Sequence, residues 1–105
     1  MARFDIYANP GKNLKSIPFL IDVQSNVISG LASRIVIPLR ASTYFSLTNL
    51  PADLFPLIDV NGTSCILDTP QLGAIPLREL KSKVGSAKSQ QAEIQLALDR
   101  AFGAY

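Results

Sequence analysis

The sequence predicts a mainly β protein: a small antiparallel sheet, curled or closed into a partly open barrel, with one α-helix at the C-terminus. Three observations predict it. Short apolar runs follow one another closely with no helical pattern between them, which favours hairpin-connected antiparallel strands over alternating strands and helices. Asn61-Gly62 stands between two such runs, and both residues tolerate the positive φ angles of a type I′ hairpin turn. The chain ends "EIQLALDRAFGAY", where Ile94, Ala97, Leu98, Ala101 and Phe102 fall on one face of a helix.

Each element can be justified in order. In "RFDIYA", Phe4, Ile6 and Ala8 alternate with Asp5 and Tyr7, the period of a half-buried strand. "NPGKN" breaks it with turn residues. "PFLIDVQS" (Pro18 to Ser25) sets Phe19, Ile21 and Val23 against Leu20, Asp22 and Gln24. "RIVIPL" (Arg34 to Leu39) is nearly continuous in apolar residues, as in a central strand buried on both faces. Pro38 is expected at that strand's end, where a missing N–H matters least. "RASTYFSLTNLPADL" reads as a short helix or irregular segment. Leu57–Val60 and Cys65–Leu67 form the hairpin, and Ala74–Leu77 one more strand. "KSKVGSAKSQ" is polar and reads as a loop, with Ser86 or Ser89 available to cap the final helix. The count is about five or six strands.

Composition narrows the function. The chain has 105 residues, 48% hydrophobic and 17% charged, the size and make-up of one globular domain. So little charge suggests apolar surface covered by a second copy or a partner. The net charge of +2 and scattered basic residues give no nucleic-acid footprint. There is no histidine, the commonest general base and metal ligand. The eight carboxylates show no paired spacing, and no phosphate loop or nucleophile elbow occurs. One cysteine allows no intramolecular disulfide, and the N-terminus lacks the apolar core of a signal peptide, so a cytoplasmic protein is expected. Ser25, at a strand end, has no accompanying base and reads as a turn serine. Asp22 and Arg34 are expected to form an exposed ion pair across neighbouring strands, worth ~0–1 kcal/mol. The residues point to a binding protein, with no catalytic group, metal or cofactor.

The tail leaves two readings open. Phe102 continues the apolar stripe and can be core or contact. Gly103 is placed to stop the helix, and Tyr105 beyond it has little of its own domain left to pack on. Tyrosine and phenylalanine are favoured at interfaces.

"FLIDVQSNVISGLASRIVIPL" (Phe19 to Leu39) resembles the CcdB family, toxins of toxin–antitoxin pairs. The resemblance lies in Asp22-Val23-Gln24-Ser25 followed by Arg34-Ile35-Val36-Ile37-Pro38-Leu39. It extends to Phe4-Asp5-Ile6-Tyr7, Leu54–Val60, Leu72–Pro76 and the final helix. It implies a small antiparallel SH3-like barrel (CcdB/MazF-like) with a C-terminal α-helix, one toxin domain over residues 1–105, and a homodimer. It implies binding to the DNA gyrase A subunit and trapping of the gyrase–DNA cleavage complex. It also implies neutralisation by a cognate antitoxin with a disordered C-terminal segment. Toxin and antitoxin would jointly repress their operon, touching operator DNA only through the antitoxin, with no membrane role. The gyrase contacts carried over are Ser25, Val27 and Ile28 after the second strand, and Asp99, Phe102, Gly103, Ala104 and Tyr105 at the chain end. The tail departs from the family, whose well-studied members end in aromatic-Trp-Gly-Ile: in gap-free register Gly103 takes the Trp position, whereas shifted by one residue Phe102-Gly103-Ala104 is the triplet and Tyr105 is added. Two alternatives remain: a CcdB-like protein with lost or retargeted poisoning that mainly binds antitoxin, and a MazF-like endoribonuclease.

Overall fold

The computed structural model describes residues 2–27, 30–44 and 50–103. Among the described residues seven strands precede one α-helix: β1 Asp5–Ala8, β2 Phe19–Asp22, β3 Ser33–Ala41, β4 Leu57–Val60, β5 Thr63–Leu67, β6 Gly73–Pro76, β7 Lys83–Ser86 and α1 Gln91–Phe102. The pairings are all antiparallel, in the order β4-β5-β3-β2-β1-β7, with β6 also on β3. The mainly β, curled antiparallel sheet with a C-terminal helix is therefore the fold that the sequence predicts.

Period-2 alternation decides which face each side chain takes. Ile6 pairs with Ile21, and Ile21 with Ile37. These three join Leu39, Ile58, Cys65 and Leu67 in the main core, which Ile94, Ala97 and Leu98 of α1 cover. The intervening residues Tyr7, Leu20 and Val36 meet Leu80 in a second cluster on the opposite face. Both faces of β2 and β3 are thus buried, as the apolar run in β3 predicts. Ile35 is the exception: it is partly exposed beside the small Ala74 of β6. Each fully buried aliphatic side chain contributes about 1.5–3 kcal/mol. Cys65 is buried and unpaired, and burial pushes its thiol above the ordinary value.

Two expectations are corrected. Pro38 lies inside β3, not at its end. Its carbonyl accepts from Asp68 N–H, on the β5 side. A residue's N and C=O leave a strand on the same edge, so the missing N–H falls on that edge too. There β6 has stopped pairing at Val36 and β5 begins at Leu39, so no ladder bond is lost. The polar stretch read as a loop contains β7, which pairs with β1 around a bulge at Ile6/Tyr7. Its residues Lys83 and Ser86 are exposed and Val84 alone of its side chains packs against the core, so this edge strand lacks an apolar period.

The hairpin turn forms as expected, with φ of 51° at Asn61 and 89° at Gly62. The sheet then curls until its two edge strands are bridged by side-chain amides. Asn61 Nδ2 donates to Val84 O at 3.0 Å. Gln90 Nε2 donates to Leu57 O at 3.0 Å, and its Oε1 accepts from Asp59 N–H at 3.1 Å. Gln90 thus stands where a further strand's peptide group would pair. Ser86 Oγ accepts the Lys88 N–H at 3.2 Å, within the 3-10 turn Lys88–Gln90 that leads into α1, and α1 itself has no side-chain cap. Gly103 ends the helix at φ 70°, its N–H reaching the carbonyls of Asp99 and Arg100. No helix among the described residues is long and apolar enough to cross a membrane.

Candidate functional site

The residues after β2 are seated by a buried ion pair. Arg34 donates through Nε to Asp22 Oδ2 at 2.8 Å and through Nη2 to Asp22 Oδ1 at 3.0 Å. The side chains are 7% and 0% exposed, so the expected exposed pair is corrected to a buried one. The cause lies in distant sequence: β3 is flanked by β2 at Val36–Asp22 and by β6 at Arg34–Ile75. Gln24 completes the network. Its N–H reaches Asp22 Oδ1 at 3.0 Å, and its Oε1 accepts from Ile35 N–H at 3.1 Å. Burial pushes the Asp22 carboxyl above its ordinary value, while the Gln24 N–H and the Arg34 guanidinium pull it down.

Beyond this seat the chain turns outward. Ser25 Oγ accepts the Val27 N–H at 3.1 Å, a turn bond, and Val27 is 91% exposed. A valine held so far into water adds nothing to its own core. Ile28 lies outside the described residues.

Arg3 ties this loop to the helix. Its N–H donates to Asn26 Oδ1 at 2.9 Å, its Nε to Val23 O at 3.0 Å and its Nη2 to Gln95 Oε1 at 2.9 Å. The guanidinium also lies 4.7 Å from the Phe4 ring centroid. Gln95 Nε2 passes the connection one turn on, to Asp99 Oδ1 at 3.0 Å. Phe4 supports Arg3 from an uncommon backbone position, φ 74°. That conformation costs roughly 1–2 kcal/mol in a residue with a Cβ. It persists because Phe4 N–H bonds Asp22 O at 2.6 Å and Phe4 O accepts from Ala87 N–H at 2.8 Å.

The apolar stripe of α1 leaves the core at its last turn. Ile94, Ala97 and Leu98 are buried, whereas Ala101 is exposed and Phe102 is 70% exposed. Asp99 is half-buried, and Ala104 and Tyr105 lie outside the described residues. The structure thus places Ser25 and Val27 on a loop, Asp99, Phe102 and Gly103 on a helix end, and Arg3 with Gln95 between the two elements. Sequence reasoning missed Arg3 and Gln95. Among the described residues no group of histidine, cysteine and carboxylate side chains could hold a metal.

This loop and helix end occur in a chain whose residues 3–103 match the family model for the CcdB protein. The chain belongs to the CcdB family. That family comprises toxins of toxin–antitoxin pairs, so an antitoxin is the partner that membership implies. No curated protein sequence matches this CcdB-family chain. Among solved structures it is similar to an endoribonuclease from mycobacterial species, with a TM-score of 0.72 and 15% identity. That alignment covers 98% of this chain and 91% of the other. At such identity the likeness is one of fold.

Proposed function

We propose that this CcdB-family protein acts by surface binding: it grips the DNA gyrase A subunit, traps the cleaved-DNA complex, and is silenced by its antitoxin. The observation that carries the proposal is the exposed Phe102 at the end of α1, on a helix that Arg3 joins to the exposed Val27 loop. Two apolar side chains displayed in water beside a braced framework suit a contact made with little ordering cost. In either register of the tail against the family, Phe102 is the aromatic anchor left among the described residues.

The chemistry suits binding better than RNA cleavage. Arg34 and Arg40 face Asp22 and Asp68, and Arg3 is engaged in its brace, which leaves these cations committed to carboxylates and carbonyls. The proposal includes a homodimer, repression of the operon together with the antitoxin, and contact with operator DNA through the antitoxin alone.

Supercoiling and cleavage assays against several bacterial gyrases test it. Wild-type protein is expected to inhibit supercoiling or accumulate cleaved DNA, and Phe102→Ala to weaken this about 30-fold, the loss of about 2 kcal/mol for an aromatic anchor. Undiminished poisoning after removal of residues 102–105 refutes the site. RNA cleavage by metal-free protein refutes the mode of action.

A further inference from the structure

The exposed Val27 and Phe102 stand at the two ends of one chain of polar side chains. Asn26 Oδ1 accepts the Arg3 N–H at 2.9 Å, Arg3 Nη2 donates to Gln95 Oε1 at 2.9 Å, and Gln95 Nε2 donates to Asp99 Oδ1 at 3.0 Å. Asn26 precedes Val27 on the loop. Asp99 lies one turn before Phe102 on α1, on the same helix face. Beside this chain the space between Arg3, Phe4 and α1 is open, a hollow of about 330 Å3 lined also by Gln91, Ala92 and Gln95. Hydrogen bonds, and not apolar packing, therefore span this gap.

The residue type at position 95 follows from its two neighbours. A guanidinium only donates and an ionised carboxylate only accepts. Gln95, between Arg3 and Asp99, must offer an acceptor to one and a donor to the other, which a carboxamide does and no charged side chain can. Its two bonds also fix which way the amide points. Arg3 in turn holds the loop at two places, through its backbone N–H on Asn26 and through Nε on Val23 O at 3.0 Å, while its Nη2 reaches the helix. A lysine has no such fork.

We propose that Arg3, acting through Gln95, is a positioning residue for the Val27–Phe102 surface: it makes the loop and the helix end one face, so that the two apolar contacts strengthen each other when a partner binds. The gyrase A subunit as that partner rests on the function proposed above. The fixed relation between loop and helix end is a property of the free protein and does not.

Gln95→Glu is the discriminating variant, because Gln95 is exposed and a glutamate there keeps a bond to Arg3 while repelling Asp99. The two effects offset, so the urea midpoint is expected to stay within error of wild type. Spin labels on cysteines that replace Val27 and Phe102 report the spacing of loop and helix end in the free protein, with Cys65 buried and unlabelled. The distance distribution is expected to broaden in Gln95→Glu and in Arg3→Met. With unlabelled protein, the double variant Val27→Ala/Phe102→Ala is expected to weaken binding to the gyrase A subunit about fivefold less than the product of the two single losses, a coupling that disappears in the Gln95→Glu background. Equal distributions in wild type, Arg3→Met and Gln95→Glu overturn the proposal, and so do losses at Val27 and Phe102 that simply multiply in the wild-type background. A protein that binds no gyrase overturns the proposed function alone; the distance distribution then decides the role of Arg3 without a partner.

Discussion

The two flanks of α1 face segments whose ion pairs sit in opposite environments. The loop meeting the Gln95 flank stands on Asp22 and Arg34, whose side chains are almost fully buried. The ion pair on the segment meeting the Leu96 flank, residues 50–57, is Asp53 with Arg100, whose side chains are 40% and 48% exposed. The segment itself is held by the buried Phe55 and by Thr69 Oγ1, which donates to Leu54 O at 2.6 Å. The same pair of charged groups does different work in the two settings. A buried carboxylate and guanidinium must stay paired, since separating them leaves a charge without solvent. The exposed pair exchanges freely with water and ions and sets no geometry. One flank is therefore built to hold a shape, with Arg3 as its brace. On the other flank the exposed pair adds little to what the buried Phe55 and the Thr69 hydroxyl already hold.

The contrast can be broken most severely at Arg34. Arg34→Met leaves Asp22 buried without its cation, and the expected cost is about 3–5 kcal/mol, read as a shift of the urea midpoint at unchanged slope. Replacing Asp22 and Arg34 together by apolar residues should cost less than Arg34→Met alone. An equal or larger loss in the double variant would mean that packing, not charge, sets the cost. Arg3→Met comes next. It removes two side-chain hydrogen bonds and a contact with the Phe4 ring, together about 2 kcal/mol. Hydrogen exchange should speed up at residues 23–27 while Leu57 and Leu96, on the other flank, keep their methyl shifts. Uniform acceleration across the chain would show that Arg3 supports the whole fold and not one flank.

Where the sequence was legible follows the same physics. Local period and turn chemistry reveal Ile6, Ile21, Ile37, the Asn61-Gly62 turn, the Ile94–Leu98 stripe and the glycine stop at 103, because each signal is contained within a few residues. Long-range pairing reveals nothing in advance. Arg3 and Gln95 stand 92 residues apart, and neither differs locally from any exposed polar residue. Asp22 and Arg34 carry an ion-pair pattern, but their burial is decided by β6, some forty residues downstream on β3's other edge. The strand β7 was hidden for a simpler reason: a polar edge strand with Val84 alone packed against the core has no hydrophobic period to read. The exposed end of the stripe, Ala101 and Phe102, has a helical period that is indistinguishable from core until the sheet beneath it is known to stop.

Gly103 offers a smaller and more local probe of the shape-holding flank. Its φ of 70° suits a residue without a Cβ, and an added Cβ would meet no atom within 4 Å. Gly103→Ala therefore isolates the backbone term, about 1 kcal/mol, with no clash added. The urea midpoint should fall by that amount, and fraying should be confined to the turn that carries Phe102.

The smallest effect is expected at Arg100. Arg100→Gln removes the exposed pair with Asp53 and a cation near the helix C-terminus, and the two together should cost no more than about 1 kcal/mol. Salt separates this pair from the buried one. Screening acts on charges in contact with solvent, so the difference between wild type and Arg100→Gln should shrink from low salt to roughly 1 M, while the Arg34→Met difference persists. Were Arg100→Gln to match Arg34→Met in cost, or to keep its full effect at high salt, the Asp53–Arg100 pair would be a structural anchor. The two flanks of α1 would then no longer differ in kind.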